Sequence, residues 1–164
     1  HANSFGLVVT DTEHVLTPQQ PRFFGYLSGN QNNLTDSTWT TVAFNLEKYD
    51  VGSNHSNGVF TAPTSGYYSF EWQVRMNNIT SATDYLWSKL ITSDDIILCD
   101  LIRTDDIINS GATMDYYQLK GATTVHMDDG DTASVQVIVV GASTIDVDGS
   151  SSQIQVWWTG KLIG

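Results

Sequence analysis

Cysteine is almost missing from this chain. A single thiol, Cys99, in 164 residues excludes a disulfide within the chain. Its apolar neighbours Ile97, Leu98 and Leu101 mark it as a packed side chain rather than an activated nucleophile. Basic residues are scarce too: seven Lys and Arg stand against 18 Asp and Glu, a net charge of −11. Phosphate backbones are held chiefly by cationic side chains, so the balance speaks against nucleic acid as a partner. It speaks equally against docking on anionic lipid. Long apolar runs are absent, the longest being Val137 to Ala142 with Gly141 inside it. That is far short of the ~20 residues of a membrane-crossing helix, so no membrane insertion is expected. The first residues, His1-Ala2-Asn3-Ser4-Phe5, lack the basic and apolar regions of a secretory leader. The usual catalytic layouts are missing as well: no Gly-x-Ser-x-Gly, no His-Glu-x-x-His, no phosphate-cradling glycine loop, no Cys-x-x-Cys. His1, His14, His55 and His126 are scattered, and His55 and His126 read as surface or loop residues.

What is present suffices for one packed domain. The chain is 40% hydrophobic, 11% aromatic and 15% charged, and a chain of this length buries ~70% of its unfolded surface in a single core. The clearest periodicity runs from Tyr67 to Met76, where Tyr68, Phe70, Trp72, Val74 and Met76 alternate with polar positions. A period of two places the first set on the buried face of a strand. Pro63 and Gly66 ahead of it supply turn chemistry, Gly66 for a conformation that a Cβ would strain. Gly58 to Thr61 and Tyr67 to Met76 then read as neighbouring strands. Further strands are expected at Phe23 to Leu27, Trp39 to Asn45, Tyr85 to Thr92, Thr123 to Met127, Ala133 to Val140 and Gln153 to Leu162. Ala133 to Val140 is apolar on both faces and reads as central. Asp94 to Asn109 fits a helical stripe or a strand, and its β-branched isoleucines favour the strand. Polar loops are expected at Gly29 to Ser37, Asp50 to Asn57, Asn77 to Asp84, Asp128 to Asp131 and Ser143 to Ser152. Residues 1–21 read as an irregular lead-in and 22–164 as the domain.

The segment Phe60-Thr61-Ala62-Pro63-Thr64-Ser65-Gly66-Tyr67-Tyr68-Ser69-Phe70-Glu71-Trp72 resembles the signature of the C1q-like globular head family. Phe44 followed by Asp50 is similar to its other half. Gly130-Asp131 leading into Val135-Gln136-Val137, and the closing Trp158-Thr159-Gly160-Lys161-Leu162-Ile163, look like its last strands. Three features depart from the pattern: His55 replaces an aromatic or Leu, the gap to Phe60 is short, and Trp72 replaces Phe or Tyr. No Gly-x-y repeat precedes the domain. The resemblance implies an all-β, ten-strand jelly-roll sandwich of the C1q/TNF-like type, assembled as a homotrimer. It implies a non-catalytic recognition head, and calcium as the cofactor to look for near the trimer axis.

Four acidic clusters stand beside turn signals: Asp94-Asp95, Asp105-Asp106, Asp128-Asp129-Gly130-Asp131 and Asp146-Val147-Asp148-Gly149. Calcium takes several carboxylate oxygens, so Asp128, Asp129, Asp131, Asp146 and Asp148 are the metal-ligand candidates, although acidic turns are often just solvated. Asn33, Asn78, Asp84 and Ser150 represent the loops expected to contact a ligand. Trp39, Tyr116, Trp157 and Trp158 are aromatics beyond what one sandwich hides, and they are assigned to the trimer interface. Adjacent strand residues face opposite sides, so one of Trp157 and Trp158 faces outward. Three sequons, at Asn33, Asn54 and Asn78, are glycan acceptors if a eukaryote secretes the chain. The partners implied are two further copies of the chain and a cell-surface glycan or protein. The setting is the knob of a phage or viral fibre, or a secreted innate-immune lectin. The rivals are a jelly-roll glycoside hydrolase and a purely structural capsid or fibre protein.

Overall fold

Alternation of buried and exposed side chains dictates strands almost throughout, and the computed structural model contains no helix among the described residues, which are 8–9, 15–17, 19–104, 107–108, 111–142 and 144–164. His1, His14, Asp105, Asp106, Asn109, Ser143 and most of the lead-in lie outside that set. Within the lead-in, β1 (Val8–Val9) and β2 (Val15–Leu16) pair as a short antiparallel ladder. The remaining strands are β3 (Arg22–Tyr26), β4 (Thr40–Thr41), β5 (Leu46–Val51), β6 (His55–Ser56), β7 (Val59–Thr61), β8 (Gly66–Thr80) and β9 (Tyr85–Thr92). They continue with β10 (Ile96–Arg103), β11 (Thr113–Met127), β12 (Thr132–Val140), β13 (Asp146–Val147) and β14 (Trp157–Leu162).

Two antiparallel sheets form the sandwich. One runs β11-β8-β14-β3-β5 with β13 on β8, and the other runs β10-β9-β12-β7-β6 with β4 on β12. The two main paths carry the ten strands of a jelly roll. Tyr68, Phe70, Trp72, Val74 and Met76 are all at most 1% exposed, so the alternation along β8 is the inner face of its sheet. Phe60 from the opposite sheet meets Tyr68 and Phe70 at ring distances of 5.4 and 5.7 Å. Each such ring, removed from water, contributes about 2–3 kcal/mol. β12 lies between β9 and β7, as its two apolar faces require.

Several boundaries differ from the sequence reading. β7 and β8 are consecutive in the chain but belong to opposite sheets. The corner between them is tied to the β11–β12 turn, where Ala62 donates to the Asp131 carbonyl at 2.8 Å and Gly130 to the Ala62 carbonyl at 2.8 Å. β8 continues to Thr80 through residues expected to be loop, because β11 and β13 pair with its polar end. Trp39 to Asn45 yields only the two-residue β4. The strand lies just beyond, at β5, which bore no period because it is an edge with four consecutive exposed residues. β10 is a strand, as its isoleucines suggested. Gly66 opens β8 without a positive φ. A Cβ there would lie 2.8 Å from the Gly164 carbonyl, so close packing against the chain end rather than turn geometry calls for glycine.

Candidate functional site

Three loops expected to contact a ligand meet at one end of the sandwich, welded by main-chain bonds. Gln31 and Val147 exchange N–H···O bonds at 2.9 and 3.0 Å, and Leu34 donates to the Ile145 carbonyl at 2.9 Å. Asp84 donates to the Val140 carbonyl at 2.7 Å, and Gly141 donates to Asp36 Oδ1 at 2.9 Å. Between them opens a cleft of about 620 Å³. Asn32 and Asn33 line it from the first loop, Asn78 and Thr80 from β8, Thr113 and Asp115 from β11, and Thr144 and Asp146 from around β13.

Asp146 is the anchor of this cleft. Register puts it beside Asn77 on β8, and it is only 8% exposed. Its Oδ1 accepts the Asn33 N–H at 2.7 Å and its Oδ2 accepts from Asn78 Nδ2 at 2.8 Å. Both asparagines take the left-handed conformation, with φ of 54° and 63°. Asn tolerates that region better than most residues, which explains its use at both positions. On the other side of Asn78, between the Met114–Ile79 and Tyr116–Asn77 pairs, Asp115 falls opposite it on β11. Two carboxylates thus flank one amide across three adjacent strands.

The other candidates divide. Asp148 forms an ion pair with Arg75, whose guanidinium lies 4.1 Å from the centre of the exposed Tyr116 ring. Asp128, Asp129 and Asp131 occupy the turn at the opposite end. The β8 register positions Gly66 and Asn77 separate the two acidic groups by roughly 35 Å of extended strand. There Asp131 Oδ2 accepts the Asp128 N–H at 2.7 Å, and Asp129 donates its N–H to Ser65 Oγ at 3.0 Å, so the carboxylate closes a turn. The two acidic clusters therefore stand at opposite ends of the sandwich, and no group of three His, Cys, Asp or Glu able to hold a metal ion occurs among the described residues. Asp84 is exposed at the loop end, outside the cleft lining. Ser150 shapes its own turn by accepting the N–H groups of Ser152 and Gln153 at 3.3 and 3.2 Å.

Trp158 is corrected from interface to core. It is fully buried, stacks with Phe44 and Phe70, and donates its indole N–H to His55 Nε2 at 3.0 Å. His55, read as a surface residue, is buried with it. Its imidazole stacks on Phe23 at 4.9 Å, and its Nδ1 lies 2.8 Å from Glu47 Oε1. An imidazole with both nitrogens engaged fills the place of an aromatic without leaving a polar atom unpaired. Trp157 is the outward member of the pair. It is half-buried, stacks on Phe24 at 5.6 Å, and borders a depression of about 430 Å³ with Glu71, Gln73 and Lys120. Trp39 is half-buried on the opposite sheet, where the Lys89 ammonium sits 4.1 Å from its ring centre. Burial holds the Lys89 pKa below its ordinary value. Burial, reinforced by the Asp100 charge, pushes the Cys99 thiol up, as expected of an inert side chain.

Asn32, Thr80, Thr113, Asp115 and Thr144 of the cleft were not singled out in the sequence. The start of β11 gave the one usable signal, Thr113 and Asp115 alternating with Met114 as a polar strand face.

The fold is that of the C1q/TNF-like jelly-roll heads. The globular domain of zebrafish complement 1qA protein aligns over 88% of this chain and 98% of its own, with a TM-score of 0.62 and 15% identity. Murine APRIL at pH 8.0 aligns over 88% of this chain and 99% of its own, with a TM-score of 0.58 and 11% identity. Eiger TNF from S. frugiperda covers 88% and 91%, with a TM-score of 0.54 and 14% identity. No family model matches the sequence, and no curated protein does. No helix among the described residues is long and apolar enough to cross a membrane.

Proposed function

We propose that this chain is a non-catalytic recognition head that works as a homotrimer and binds a glycan or protein on a cell surface through its loop end. The observation that carries the reading is the convergence of the 29–37 loop, the polar ends of β8 and β11 and the segment around β13 on one cleft, built on a fold shared with C1q and TNF heads. Such loops, held by a rigid sandwich, are the usual place for contact residues. Self-assembly is supported by the edge strand β10. Its Ile96, Leu98 and Leu101 are 63%, 48% and 46% exposed, apolar side chains on the strand that ends its sheet among the described residues, and a lone subunit leaves them in water. An acidic, disulfide-free head suits the knob of a phage or viral fibre, where the trimer matches the symmetry of a shaft. The exposed Asn33 within a sequon favours the second setting, a secreted animal protein.

The test is binding of labelled protein to an array of glycans, purified receptor ectodomains and whole cells. Saturable binding, lost when the 81–84 or 144–152 loop is shortened, supports the reading. Absence of binding on every surface contradicts it. So does release of reducing sugar that one Asp→Asn change abolishes.

A further inference from the structure

We infer that the loop-end cleft seats one neutral sugar residue, read through its hydroxyl groups by Asp115, Thr80, Thr113 and the amides around Asp146. This rests on the recognition-head reading and names the ligand class of that site. The cleft, about 620 Å³, falls within the ~300–1,000 Å³ range of small-ligand sites. Every side chain in its lining is an amide, a hydroxyl or a carboxylate. An apolar ligand would strip water from these groups and return no hydrogen bond.

Charge narrows the choice further. The lining holds two carboxylates and no Lys, Arg or His, on a chain of net charge −11, so sialic acid, sulfate and phosphate groups meet repulsion. A cationic amine fits less well than a sugar. Asp146 already accepts from Asn33 and Asn78, and an ammonium, which only donates, gives nothing back to the amide N–H and hydroxyl donors around it. Sugar hydroxyls both donate and accept, as do the Thr hydroxyls and Asn amides of the lining. Asp115, exposed at the rim opposite Asn78, accepts from adjacent hydroxyls. Asp146 fixes the floor: 8% exposed and bonded through both oxygens, it holds the two asparagines before any ligand arrives.

The experiment titrates methyl glycosides of neutral hexoses and of N-acetylglucosamine, with sialyllactose and spermine in parallel, against the intact protein by saturation-transfer NMR. At least one neutral glycoside binds with a Kd in the millimolar range or tighter, and sialyllactose and spermine do not. Asp115→Asn and Thr113→Val, both on exposed positions, keep the parent Tm and weaken that glycoside about tenfold. The inference falls if no neutral glycoside binds, if sialyllactose or spermine binds in its place, or if both variants bind as the parent does. Surface binding separates the two levels of the account. An Asp115→Asn protein that still binds cells like the parent sinks the sugar cleft and leaves the head; a parent protein that binds no surface sinks both.

Discussion

Trp158 donates its indole N–H to His55 Nε2 at 3.0 Å inside the sandwich, so Nε2 carries no proton and the Nδ1–H of His55 donates to Glu47. This pair joins the two sheets, since Trp158 lies on β14 and His55 on β6 of the opposite layer. Trp158→Phe keeps an aromatic ring but leaves the buried Nε2 without a donor. The expected loss is about 1–3 kcal/mol of unfolding free energy, read by denaturant titration. Trp158→Ala adds a cavity and costs about 3–5 kcal/mol. A Trp158→Phe protein as stable as the parent would show the bond to be unimportant.

Trp157 behaves in the opposite way. It faces out and is half-buried, so Trp157→Ala costs much less than Trp158→Ala, about 1 kcal/mol by the same titration. Equal losses at the two positions would contradict the assignment of their faces.

On the proposed reading, the exposed apolar row of β10 is the face that the other copies cover. Leu98→Glu with Leu101→Glu leaves the circular dichroism spectrum of a β protein intact and lowers the solution mass to that of one chain. A double variant that remains fully assembled places the contact elsewhere.

Cys99 is held above its ordinary pKa, first by burial and then by the Asp100 charge, so at any given pH it has less thiolate than a free cysteine. Alkylation of the native protein is therefore slower than that of a model thiol at pH 8, and its rate profile is displaced to higher pH than the model thiol's. A pH profile that superimposes on the model thiol's would refute the shift.

Asp131, Asp146 and Asp148 are already engaged by a main-chain N–H, by Asn33 and Asn78, and by Arg75. Chelation with EDTA consequently leaves Tm and solution mass unchanged. A fall in Tm that calcium restores would show a metal site built from other groups.

How far the sequence revealed this follows from where side-chain patterns reflect tertiary surroundings. β8 was legible because aromatic and polar side chains alternate on it over ten residues, and a two-faced β12 announced its central place. β5 was not, since an edge strand exposed on both faces carries no period. His55 was misread because its burial depends on two partners far away in sequence, Trp158 and Glu47, whose approach no local pattern encodes. The cleft was half legible. Asn33, Asn78 and Asp146 stood out as turn residues, but Asp115 joins them only through the β11–β8 register. Asp146 and Asp148 looked like one ligand set, until Arg75 and the two asparagines took them separately.

The measurement that bears most directly on the account is the mass of the protein in solution at micromolar concentration, by light scattering or native mass spectrometry. A homotrimer gives a single species of three times 18.1 kDa. A stable particle of 18.1 kDa, with the β10 face open to water, would contradict it.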